Sequence, residues 1–105
     1  MRQWFVRDRD GREIYLTEAQ WEHIVNRHRE LQHHLEDVLD TVRWGRRRQQ
    51  PHDPQAYVYR RACETLRPPL NGILVVVVFR LTPHESGELR PNNFIVTAWG
   101  IMMRR

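Results

Sequence analysis

The sequence predicts an α+β domain: an antiparallel sheet of four to five strands with two helices packed on one face, in the order β-β-α-α-β-β-β. Three observations carry this reading. Residues 17–31 and 33–43 repeat apolar side chains at helical spacing. Strand-forming segments stand before and after these helices rather than between them. Residues 73–79 form an unbroken apolar run rich in β-branched residues.

Residues 2–16 read as a hairpin. Trp4 and Val6 alternate with charged neighbours, Asp10-Gly11 is a turn dipeptide, and residues 13–16 form the return strand. The first helix, residues 17–31, has a complete start signal. Thr17 is a favoured N-cap, and Gln20 three positions on completes a capping box. Leu16 and Trp21 form the hydrophobic-staple pair. Trp21, Ile24, Val25 and His28 then share one face. His28 is titratable where the pattern asks for a Leu, and it sits in a last turn whose unpaired carbonyls favour a cation. In the second helix Leu35, Val38, Leu39 and Val42 repeat the pattern, with Glu36 and Asp37 near the start and Arg43 and Gly45 near the end.

Residues 46–54 are expected to form a basic, Pro-containing loop, and residues 56–62 a strand. After turn chemistry at 67–72, the run 73–79 is expected at the centre of a three-strand meander, covered on both faces. Residues 82–92 read as a polar loop and 93–99 as the last strand, with Phe94, Val96 and Ala98 on one face and Ile95, Thr97 and Trp99 on the other. In this register the open face of the sheet carries Tyr59, Arg61, Thr97 and Trp99, and a slip of one residue would turn them into the core.

The 105 residues make one domain, 1–105, with one modest core. No run approaches the ~20 apolar residues of a membrane span, and Arg2, Arg7 and Arg9 break any signal-peptide core. The single Cys63 permits no internal disulfide, consistent with a reducing cytoplasm. The net charge is +4, and all 17 basic residues are Arg. Arginine is the better bidentate phosphate ligand, and a basic surface favours a polyanion.

No metal or cofactor is expected. His23 and His28 are five residues apart, about 140° around a helix, and do not converge there. Adjacent His33 and His34 point apart, no HExxH is present, and one Cys cannot supply a zinc ribbon. P-loop, GxGxxG and GxSxG patterns are missing. What remains is one well-placed His, many Arg, Tyr and Thr on strands, and Trp. That set suits RNA cleavage through the substrate's own 2′-hydroxyl. Such chemistry needs an acid, a base and cations against charge developing on phosphorus. Aromatic side chains can stack on unpaired bases.

The residues also carry a resemblance. Trp21, His23, Ile24, Arg27, His28, Glu30 and Leu31 form W-x-H-I-x-x-R-H-x-E-L behind an N-terminal strand pair. Downstream come Tyr57-x-Tyr59-Arg60, a Val-rich apolar strand and a terminal Ile-Val-Thr-Ala-Trp ending at Trp99. From about Thr17 to Trp99 the chain resembles the phage-associated nucleases of the barnase–EndoU–colicin–RelE (BECR) group. The resemblance implies helices against a four- or five-stranded sheet, and a metal-independent RNase, often a toxin, with an acidic antitoxin or immunity protein as partner. It makes His28 the catalytic histidine, Arg60 or Arg61 the strand cation, and Thr97 the hydroxyl on the last strand. Tyr59 is a further catalytic candidate. Arg27, Arg46, Arg47, Arg48 and Trp99 are the candidates for holding RNA. Two positions depart from the pattern: Arg29 stands where such sequences often have Pro, and Trp99 replaces a Tyr. The same residues admit plainer roles, with His28 as a helix cap, the arginines as solvated surface and Tyr57 and Tyr59 as core aromatics. A non-catalytic module binding nucleic acid or a protein partner is the alternative function.

Overall fold

The computed structural model describes residues 2–104. The order is β1 (Gln3–Arg7), β2 (Glu13–Thr17), α1 (Glu18–Arg27), a 3₁₀ turn (Arg29–Leu31), α2 (Leu35–Trp44), β3 (Arg46–Gln50), β4 (Asp53–Ala62), β5 (Gly72–Pro83) and β6 (Leu89–Ile101). The α+β class and the central position of β5 in a β4–β5–β6 meander hold. The sheet differs in size and kind. It has six strands in the order β1-β2-β6-β5-β4-β3, and it is mixed, because β2 meets β6 in parallel at Tyr15–Phe94.

The extra strand comes from residues expected to be a loop. Arg46, Arg47 and Arg48 pair with Arg60, Tyr59 and Val58 as β3 on the edge of β4. Charge and the prolines that follow obscured this in the sequence; an edge strand facing solvent accommodates the charge, and Pro51 lies in the turn beyond it. Gly45 makes the junction from α2. A Cβ there would stand 2.2 Å from the Thr41 carbonyl oxygen and 2.8 Å from that of Arg60. Likewise most of the expected loop at 82–92 is ladder: β5 and β6 pair out to Pro83 and Leu89.

One buried layer joins the helices to one face of the sheet. Ile24 from α1, Leu31, and Val38, Leu39 and Val42 from α2 pack on Val6, Ile14, Leu16, Ile73, Val75, Val77, Ile95 and Ala98. The stripe predicted for α1 is narrower than expected, since only Ile24 is fully buried on it. Half of the expected capping box forms: Thr17 Oγ1 accepts from the Gln20 backbone N–H at 3.1 Å, but the Gln20 side chain turns to the Val96 carbonyl instead of back to Thr17.

The opposite face is open. Leu74, Val76 and Val78 of β5 are half-buried, so β5 is covered on one face rather than both. A bulge in β6 decides what that face displays. Val76 pairs with Thr97 and Val77 with Ile95, leaving Val96 as the extra residue. Strict alternation assigns Phe94 and Ala98 to one face; the bulge separates them. Ile95 and Ala98 enter the core, and Phe94, Thr97 and Trp99 share the open face.

Candidate functional site

α1 ends at Arg27, four residues short of the expected Leu31, and one short of the last member of its apolar stripe. His28 leaves helical geometry at φ −129°, ψ 77°, while its N–H still donates to the Ile24 carbonyl at 2.8 Å. The 3₁₀ turn that follows drives Leu31 into the core. This break places the His28 side chain at the edge of β6. There its ring lies 5.9 Å from that of Trp99.

The edge is sealed by side chains rather than by a strand. Gln20 Nε2 donates to the Val96 carbonyl, and the Gly100 N–H donates to Glu30 Oε2 at 2.9 Å. Gly100 permits that approach, since a Cβ would stand 3.0 Å from Glu30 Cγ. The same Glu30 oxygen lies 3.9 Å from His28 Nδ1. One carboxylate therefore fixes the strand edge and faces the imidazole.

Beside this edge is an open hollow of about 530 Å³, lined by Gln20, His23, Arg27 and His28 from the helix side and by Val96, Thr97 and Trp99 of β6. Four residues singled out from the sequence meet here: Arg27, His28, Thr97 and Trp99. His23 and Gln20 are additions. The 140° separation of His23 from His28 assumes one continuous helix. The helix stops before His28, so the two imidazoles border the same hollow. A helix break after a capped ten-residue start carries no signal in the apolar spacing.

Three arginines extend the site across the open face. Arg46, Arg60, Leu74 and Trp99 lie opposite one another in one row, and Arg48, Val58, Val76 and Thr97 in the next. Arg60 is two strand spacings from Trp99, about 10 Å, and it is exposed. Between the two arginines proposed for the strand cation, Arg60 is the one on the Trp99 face.

Tyr59, Arg61 and Arg47 point the other way. Tyr59 is 1% exposed in the core, and its hydroxyl donates to Asp8 Oδ2 at 2.6 Å. Burial, then this hydrogen bond, raises the phenol's pKa far above its ordinary value. A phenol so buried and so committed is not poised to exchange protons at the site. Arg61 is two residues along β4 on the same side. Arg47 stacks over the Tyr57 ring at 3.4 Å and near Phe79 at 4.8 Å. Tyr59 and Arg61 leave the open face because β4 turns them, with Tyr57, to the side opposite Val58 and Arg60; Arg47, paired with Tyr59 from β3, shares that side.

Among the described residues the fold also gathers His34, Asp37 and Cys63, whose donor atoms lie within 4.8 Å of one another. Sequence spacing could not show this, because Cys63 arrives from the end of β4. Its geometry is accounted for locally: His34 Nδ1 and Asp37 Oδ2 are 2.8 Å apart across the first turn of α2, and Cys63 lies in the core cluster. No helix among the described residues is long and apolar enough to cross a membrane. Comparisons with family models, curated proteins and solved structures return no match, so the chemistry of this site is read from its residues alone.

Proposed function

We propose that this protein is a metal-independent endoribonuclease of the BECR type that cleaves RNA by attack of the substrate's own 2′-hydroxyl. The observation that carries the reading is the pair His28 and His23 bordering one hollow with Arg27 and Thr97. One imidazole takes the 2′-hydroxyl proton as O2′ bonds to phosphorus. The other gives a proton to the departing O5′ as the P–O5′ bond breaks. The products are a 2′,3′-cyclic phosphate and a free 5′-hydroxyl. Imidazole serves both roles near neutral pH. Arg27 and Arg60 hold the non-bridging oxygens, the Thr97 hydroxyl positions the phosphate, and Trp99 stacks on a base. Arg46 and Arg48 then neutralise phosphates further along the open face. In a toxin, an acidic antitoxin would cover this basic face.

A second reading is a non-catalytic nucleic-acid-binding module. It is favoured by the structural work His28 already does, closing α1 and packing on Trp99. RNA cleavage in EDTA with analysis of product ends separates the two. The nuclease reading expects cyclic-phosphate ends and a loss of about 10²- to 10⁴-fold in His28→Ala or His23→Ala. Salt-sensitive RNA binding without turnover by the wild type would support the module instead.

A further inference from the structure

The open face carries a second feature that neither the core nor the hollow at His28 requires. Phe5, Tyr15 and Phe94 are successive neighbours across β1, β2 and β6. Their rings form a ladder with centroids 6.2 and 6.0 Å apart, tilted by 45° and 42°. Phe5, at the sheet edge, is 59% exposed. The guanidinium of Arg80, opposite Asn92 on the same face, lies 5.4 Å from the Phe94 ring. Large aromatic side chains left on a solvated sheet face mark a binding surface.

The ladder and the hollow are continuous. A depression of about 550 Å³ is bordered by Phe5, Arg12, Tyr15, Arg90 and Asn92. It shares Tyr15 with a smaller one of about 160 Å³ at Phe94. That one shares Gln20 and Val96 with the hollow of His28 and Trp99. Strand spacing and rise give the track a length of about 25 Å from Phe5 to Trp99.

We propose that this track binds single-stranded RNA, with bases stacked on Phe5, Tyr15 and Phe94 in succession and, one nucleotide further on, on Trp99, and with Arg80 on the backbone. The assignment rests on the nuclease reading for the polarity of its two ends. A single strand is the matching occupant because its bases are free to stack and its phosphates meet arginine. A duplex buries its base faces and would leave the ladder unused. The track therefore makes the enzyme prefer a short unpaired stretch, on the order of five nucleotides, with the scissile phosphate at its His28 end.

The test is binding of 2′-O-methyl oligonucleotides of two, five and eight residues, which lack the attacking hydroxyl. Wild type is expected to gain affinity from two to five residues and then level off. Phe5→Ala and Tyr15→Leu are expected to weaken the longer ligands roughly 5- to 150-fold per lost stack while leaving the dinucleotide unchanged. Arg80→Ala should reduce the salt slope by about 0.7 for the longer ligands alone. Phe94→Trp, which keeps the stacking surface, should retain wild-type affinity. Wild-type binding that does not change with length would overturn the track and leave the nuclease site standing. No binding of any RNA would overturn both. Length-independent binding together with a dimer that Phe5→Asp dissolves would give this face to a second copy of the chain.

Discussion

At the scale of single residues, two polar groups with opposite duties explain most of the behaviour of the hairpin and the site. Asp8 is 7% exposed and accepts from Tyr59, from the Arg12 guanidinium and from the backbone N–H groups of Asp10 and Arg12. Burial alone would raise its pKa. The hydrogen bonds outweigh burial and hold the carboxyl below its ordinary value. The unfolded chain therefore takes up this proton first as pH falls. Asp8's stabilisation is complete above about pH 4 and is lost as pH drops through the folded-state value. Asp8→Asn is expected to flatten that acid limb, measured as urea midpoints across the acid range. An unchanged limb would assign the acid sensitivity to another carboxylate. His28 has the opposite duty. It is half-buried beside Trp99 and Glu30 and opens on a hollow large enough for a nucleotide. Asp8 and Tyr59 serve the fold, and His28 serves the hollow.

At the scale of elements, α1 is the part that builds the site, and most of it is legible in the sequence. Thr17, Gln20 and Leu16 announce its start, and Ile24 its buried side. Thr17→Ala is expected to cost about 1 kcal/mol, and Ile24→Ala about 2–5 kcal/mol, both read from denaturant midpoints. Equal losses in the two variants would mean that the cap, rather than the packing, holds α1 in place. Its end is not legible. His28 completes the apolar spacing, so the pattern continues where the backbone stops. The strands show the same division. The β5 run is unmistakable, because seven apolar residues in succession at 73–79 admit little else. The face that β4 and β6 present is not: alternation leaves the facing of β4 open, and in β6 one extra residue at Val96 changes the partners of everything after it. That is why Ile95 enters the core although Thr97 and Trp99 reach the open face as expected; β4 pairs with β5 without a bulge, and it is simply one residue out of the expected facing, which turns Tyr59 and Arg61 inward. β3 was hidden by its own composition: three arginines and two glutamines read as loop until β4 supplies the pairing.

At the scale of the whole molecule, the charge and the topology agree. Both helices lie against one face of the six-stranded sheet. The other face therefore shows Arg46, Arg48 and Arg60 on one side of β5, and Thr97, Trp99 and the Phe5–Tyr15–Phe94 ladder on the other. The parallel contact of β2 with β6 makes that face continuous from the hairpin to the site. The central claim is that RNA lies on this face and reaches its end at His28. The four tryptophans give a direct way to see it. Trp4 and Trp21 pack against the core, Trp44 is exposed at the end of α2, and Trp99 stands in the site. The measurement is the indole N–H resonances of the folded protein during titration with a 2′-O-methyl pentanucleotide. The account predicts that Trp99 shifts first and furthest while Trp4, Trp21 and Trp44 hold still. A shift centred on Trp44, with Trp99 unmoved, would contradict it.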